Sequence, residues 1–192
     1  MTMNEKMDRR KKYTRMVLKE SLIELLRKKP MSLITVKEIC ELADINRSTF
    51  YSHYTDVFDL LHSIEDEIVA DMIAYLNKYN VTKEEESLYI TEKLLEYVAL
   101  NQEVCKTLIS ENGDVQFQKR VMKVAQQFLV ENWVEVSALD EELYEYLSTF
   151  VISGCIHVIK EWLERGMDKS PKEMAKMINT FANKGLASLR SS

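Results

Sequence analysis

Glycine and proline are scarce in this 192-residue chain, with four of the first and two of the second. Tight hairpins and sandwich corners draw heavily on both, so an all-β architecture is excluded and long helices are favoured. No segment alternates apolar and polar residues long enough to predict a strand. No apolar run approaches the roughly 20 residues of a membrane span. The first apolar stretch, MVLKESLIELL, is broken by Lys19, Glu20, Ser21 and Glu24, so no signal peptide is read there. The expected compartment is the cytoplasm. Three cysteines, Cys40, Cys105 and Cys155, are odd in number and far apart, which predicts small buried residues in a reducing environment over disulfides. His53, His62 and His157 lack partners at metal-ligand spacing, so no metal site is expected. There is no glycine-rich phosphate loop and no nucleophile–base motif; an enzyme is disfavoured and no cofactor is expected.

Ten methionines, with abundant Leu, Glu and Lys, suit helices. The net charge is −5, but it is unevenly spread. Residues 1–55 hold 12 of the 26 Lys and Arg and only 7 of the 31 Asp and Glu. A basic N-terminal quarter on an acidic body is the asymmetry of a head that meets nucleic acid.

Residues 35–61, TVKEICELADINRSTFYSHYTDVFDLL, are the most informative segment. Thr35 and Glu38 stand at capping-box spacing. Val36, Ile39, Cys40 and Ala43 mark one buried face at helical period. Asp44 falls at the turn, where a left-handed backbone is often required and Asp tolerates it. Asn46 is placed to cap the next helix, predicted over Arg47 to Tyr54. That helix offers Arg47, Ser48, Thr49, Tyr51, Ser52, His53 and Tyr54 around one clear apolar anchor, Phe50. Such a surface suits the major groove of DNA, where Arg reads guanine through two parallel donors. Arg47 and Thr49 are expected at base edges; Tyr51, His53 and Tyr54 are expected on phosphates or bases. Thr35 and Ser48 complete the expected contact set. Arg9, Arg10, Lys11, Lys12 and Arg15 form a basic arm, of which Lys11 and Lys12 are expected to neutralise phosphates.

The rest of the chain divides into helices. The first runs from about Arg10 to Arg27 with Val17, Leu18, Ser21, Leu22, Leu25 and Leu26 as its apolar stripe. A long helix follows from Asp56, with Phe58, Leu61, Ile64, Ile68, Met72, Ile73, Leu76 and Tyr79 on its broad face. Thr82 to Glu85 is a second capping box. A short helix spans 102–110, Asn112-Gly113 stops it, and Asp114 opens another to about Glu135. The last third gives one helix with Leu143, Leu147, Phe150, Val151, Gly154, Val158 and Trp162 on a face, ended by Gly166. Ser170-Pro171-Lys172-Glu173 opens the final one, lined by Met174, Ile178, Phe181, Gly185, Leu186 and Leu189.

The N-terminal quarter resembles the TetR family of transcriptional regulators, through ITVKEICELADINRSTFYSHYTDVFDLL. NQEVCKTLISENGDVQF and FVISGCIHVIKEWLERGMDKSPKEMAKMI are similar to the C-terminal domain of one branch of that family, which includes an activator of dihydroxyacetone kinase operons. The resemblance implies an all-α fold of about nine helices: a three-helix helix-turn-helix domain over residues 1–55, and a ligand-binding and dimerisation domain over 56–192. It implies a repressor acting as a homodimer on a near-palindromic operator in double-stranded DNA and released by a small-molecule effector. An activator, or a regulator controlled by a protein partner, is the alternative, with a helical carrier or enzyme behind it. The last two helices are implied to dimerise as a four-helix bundle, through Gly154, Val158, Trp162, Phe181 and Gly185. An effector cavity is implied among Tyr75, Tyr79, Tyr97, Phe117 and Phe128. The chain departs from the family pattern twice. Asp44 stands where many members have Gly, and Thr55 and Val57 stand where many have a lysine that meets phosphate.

Overall fold

The computed structural model describes residues 3–78, 86–110, 115–125 and 141–189. Among them are nine α-helices: α1 (Met3–Leu26), α2 (Val36–Ala43), α3 (Arg47–Tyr51), α4 (Val57–Leu76), α5 (Glu86–Leu100), α6 (Gln102–Leu108), α7 (Val115–Ala125), α8 (Glu141–Glu164) and α9 (Pro171–Leu189), with a single 3₁₀ turn at Met31–Leu33. No strand occurs among the described residues. The all-α reading therefore holds. The second capping box at Thr82–Glu85, the stop at Asn112-Gly113 and the stretch up to Glu135 lie outside the described residues.

The chain forms two compact units. One comprises Met1–Ile68 with Thr107–Asp114, the other Val69–Lys106 with Val115–Ser192. In the first, α1 begins at Met3 rather than Arg10, since nothing between them breaks a helix. Its predicted stripe is the core: Leu18, Leu22 and Leu26 are fully buried beside Ile39, Phe50, Leu60 and Leu61. Ser21, the polar member of that stripe, is satisfied by donating to the Val17 carbonyl at 2.8 Å. Phe58 departs from its expected face and is exposed, because the α4 residues that turn inward are Val57, Leu60, Leu61 and Ile64.

In the second unit α9 packs along α5. Met174, Ala175, Ile178 and Ala182 make the inner face of α9, and Ile90, Leu95 and Val98 that of α5. Ser170 and Glu173 close the capping box read from the sequence: the Glu173 N–H donates to the Ser170 hydroxyl at 3.2 Å, and the Ser170 N–H to the Glu173 carboxylate at 2.8 Å. Between α8 and α9 the chain reverses through two left-handed residues, Gly166 at φ 74° and Met167 at φ 59°. The turn is fixed from inside by Trp162, whose indole N–H donates to the Lys169 carbonyl at 2.9 Å.

Candidate functional site

The α2–turn–α3 segment is set by backbone requirements first. Thr35 caps α2 by a reciprocal box with Glu38: the Glu38 N–H reaches the Thr35 hydroxyl at 3.3 Å, and the Thr35 N–H reaches the carboxylate at 3.0 Å. Lys29 holds the same carboxylate at 2.5 Å, so Glu38 sits below the ordinary Glu value, first through Lys29 and then through Thr35. At the far end of α2, Asp44 adopts φ 52°, ψ 45°, and the Ile45 N–H returns to the Cys40 carbonyl at 2.9 Å. That left-handed close is what many relatives use glycine for; here Asp supplies it.

Asn46 occupies the N-cap of α3, but its side chain makes no cap bond, contrary to expectation. The helix is also shorter than predicted and ends at Tyr51. At its end the Ser52 hydroxyl donates to the Thr49 carbonyl at 2.7 Å, and the N–H groups of His53 and Tyr54 share the Phe50 carbonyl, each at 2.9 Å. Local side-chain bonding of this kind competes with helix continuation.

Phe50 is fully buried and anchors the short helix; its ring lies edge-on to Tyr51 at 5.5 Å and tilted to Tyr54 at 5.9 Å. Arg47, Ser48 and Tyr51 are exposed, Thr49 is half-buried and Tyr51 is 58% accessible. Arg47 makes no ion pair among the described residues. It lies beside Lys37 and Asp44 on the wall of a polar concavity of about 480 Å³. Lys11, Lys12 and Arg15 are exposed on α1. The structure commits two expected contacts elsewhere. Tyr54 is buried, with a hydroxyl that finds no hydrogen-bond partner, so it supports Phe50 and offers nothing to DNA. Thr35 is exposed, but its hydroxyl and amide are both engaged by Glu38. His53 is half-buried, and its imidazole titrates below the ordinary value, first through burial and then through Arg15 and Lys11.

The start of α4 also differs from the usual phosphate grip. Val57 is buried. The Asp59 N–H donates to Asp56 at 2.8 Å, and the Thr55 N–H to Asp59 at 2.8 Å. The helix end is therefore closed by its own carboxylates, with no lysine at either place.

In the second unit the described members of the expected aromatic cluster pack into the core. Tyr75 and Tyr97 pack against each other at 5.7 Å, and the Tyr75 hydroxyl donates to Glu96 at 3.1 Å. Tyr97 and Phe117 are buried core residues. Tyr79 and Phe128 lie outside the described residues. A small cavity of about 40 Å³ has aliphatic walls, among them Leu94, Leu95, Val121, Ile152, Ile156 and Ile159. Sequence reasoning missed these residues because a cavity wall and a core face share one periodicity. Burial pushes the thiol of Cys155, on the cavity wall, up to about 11, and that of Cys105 up to about 12.

A larger apolar groove of about 440 Å³ runs between α8 and α9. Gly154, Val158 and Phe181, three of the residues expected to dimerise, line it together with Leu147, Phe150 and Met177. Phe150 is 77% accessible and Phe181 80%, a costly exposure unless another surface covers them. A Cβ on Gly154 would meet nothing within 4 Å, so inside one protomer no neighbour requires glycine there. Trp162 is corrected: it is 2% accessible and committed to the inter-helix turn, with no free face for a partner. Gly185 belongs to α9, but its surroundings lie outside the described residues.

Residues 85–184 match a family described as the transcriptional regulator C-terminal region of TetR proteins. An uncharacterized helix-turn-helix-type transcriptional regulator of Bacillus subtilis, YxbF, is 25% identical over 165 residues, which is 82% of this chain. The chain spans only 42% of that relative's length. A TetR transcriptional regulator from Streptococcus agalactiae superimposes with a TM-score of 0.72 at 23% identity, over 93% of this chain and 98% of its own. The regulator FadR from Bacillus subtilis, solved in complex with stearoyl-CoA, superimposes with a TM-score of 0.66 at 14% identity, over 88% of this chain and 98% of its own. No described helix is long and apolar enough to cross a membrane.

Proposed function

The chain belongs to the TetR family of transcriptional regulators, and on that premise we propose that it is a dimeric, sequence-specific DNA-binding repressor released by an apolar small-molecule effector. The carrying observation is α3. Five residues sit on one fully buried ring, Phe50, and turn Arg47, Ser48 and Tyr51 to solvent beside a basic α1. A rigid short helix with unpaired donors is what a groove of base-edge acceptors requires. Residues 1–55 bind DNA in this reading, and 56–192 bind effector and dimerise. Two-fold pairing through Gly154, Val158 and Phe181 presents two copies of α3, so the operator is a near-palindrome.

The effector assignment rests on the aliphatic walls of the core cavity and on the neighbour bound to stearoyl-CoA. Ligand sites span about 300–1,000 Å³, so α5, α7, α8 and α9 must part to admit one. The small size of the cavity supports a second reading, control by a protein partner in place of a ligand. The deciding experiment is selection of duplexes from a random pool by the full chain. Enrichment of a symmetric pair of half-sites is the expected result; absence of any enrichment refutes the DNA-binding reading. Adding an acyl-CoA to the selected complex then separates the two modes of control, since only the first predicts release.

A further inference from the structure

We propose that Asn46 is a base-reading residue, which selects an adenine in the base pair next to a guanine read by Arg47. The inference rests on the DNA-binding reading above and adds to it a specificity-determining side chain that precedes α3. Asn46 stands where a capping residue commits its side chain to the first turn of the helix, and here it makes no such bond. The reason lies in the backbone. The Thr49 N–H, which a capping side chain would take, goes to the Asn46 carbonyl at 2.9 Å, and the Phe50 N–H joins it at 3.1 Å. The amide is thereby released: it is exposed, and among the described residues it makes no hydrogen bond.

Asn46 and Arg47 line one concavity of about 480 Å³ at the α2–α3 turn, together with Lys37, Glu41 and Asp44. Two cations and two carboxylates share that surface, and Lys37 is already turned to Glu41 at 3.7 Å. A phosphate, which carries a full negative charge, gains little from such a balance. A base edge presents donors and acceptors side by side with no net charge, and a mixed surface meets it. The backbone ahead of Asn46 is set: Asp44 is left-handed at φ 52°, and the Ile45 N–H returns to the Cys40 carbonyl at 2.9 Å. The free amide is therefore held by a fixed turn, as a reading group requires.

Chemistry separates the two readers. A guanidinium only donates, and it suits the two acceptors of guanine, N7 and O6. A carboxamide holds a donor and an acceptor in one plane, the complement of the N7 acceptor and N6 donor of adenine. Consecutive Cα atoms stand about 3.8 Å apart, close to the roughly 3.4 Å between successive bases on one strand. Asn46 and Arg47 are thus spaced for neighbouring base pairs.

The test is selection from a random duplex pool by the full chain and by variants at position 46. The parent should enrich half-sites that hold an adenine beside the guanine whose selection Arg47→Ala abolishes. Asn46→Ser keeps a capping residue and removes the amide, so it should lose roughly tenfold or more of the preference for that adenine. Asn46→Asp exchanges the donor for an acceptor and should turn the preference from adenine to cytosine, whose N4 amino group donates. Asn46→Ala should leave the melting temperature unchanged, because no cap bond is lost. A fall in melting temperature would return the amide to the helix and overturn the proposal. So would variants that weaken every duplex equally and still select the parent's bases. Enrichment of no duplex by the parent overturns the DNA-binding reading as well; a symmetric site without that adenine overturns only the role of Asn46.

Discussion

Tyr54 carries a hydroxyl that is buried with no hydrogen-bond partner. Leaving such a group dry costs roughly 1–3 kcal/mol, while its ring contact with Phe50 needs no oxygen. Tyr54→Phe should therefore stabilise the protein by about 1 kcal/mol and leave DNA affinity unchanged; chemical denaturation and duplex binding check both halves. A loss of affinity would return Tyr54 to the DNA face. Arg47 lies at the opposite pole. It is exposed and unpaired at the first turn of α3. If it reads a guanine, Arg47→Ala should cost about 1–3 kcal/mol on the selected duplex and relax one base pair per half-site. Scrambled duplex should bind as before; equal weakening of both would make Arg47 a phosphate anchor. The sequence distinguished Tyr54 from the exposed Tyr51 poorly, because the two are equally polar on paper. Burial separates them: Tyr51 is 58% accessible and Tyr54 5%, a difference that side-chain polarity does not reveal.

Helix starts were legible where the cap is reciprocal. Thr35 with Glu38, and Ser170 with Glu173, each present two complementary side chains three residues apart, and both boxes form. Asn46 was misread as a bonding cap because a lone capping residue has no partner to hold its rotamer. The same logic makes the caps acid-sensitive. The Glu38 carboxyl is held low by Lys29 first and then by Thr35, and Glu173 by the Ser170 hydroxyl and then its amide. Folded values below unfolded ones mean stability that is present above the ordinary Glu range and is lost as pH falls through the lowered values. A Glu38→Gln variant should melt below the parent near neutrality, and the gap should close as acid protonates the parent's own carboxylate. A gap constant with pH would show that Glu38 acts through shape alone. Faces that must choose between core and partner were the harder part. Along α8, Ile152 and Leu163 turn inward while Phe150 turns out, yet all three are apolar and their chemistry alone does not say which face meets the core.

At the scale of the molecule, the charge split pointed to a basic head before any coordinate did, and the scarcity of Gly and Pro pointed to helices. What composition does not reveal is which apolar surface awaits a second chain. Phe150 and Phe181 support the proposed α8–α9 face: each is more than three-quarters accessible, and both border the groove. In the proposed two-fold pairing each copy would lay its phenyl rings across the other's groove, as an isologous interface requires. Aromatic side chains desolvated at the centre of such an interface carry most of its energy, commonly 2 kcal/mol or more each. Phe181→Asp should therefore split the dimer at micromolar concentration, read by sedimentation. The protomer should keep its helical signal, since the ring stabilises little inside one chain. Operator affinity should fall much further than affinity for a single half-site duplex, because each monomer keeps its own Arg47 and basic arm but loses the benefit of a linked second site. A Phe181→Asp protein that stays dimeric would move the interface off the α8–α9 face. A protein that becomes monomeric yet binds the full operator undiminished would leave dimerisation intact as a fact of assembly and remove it from DNA recognition.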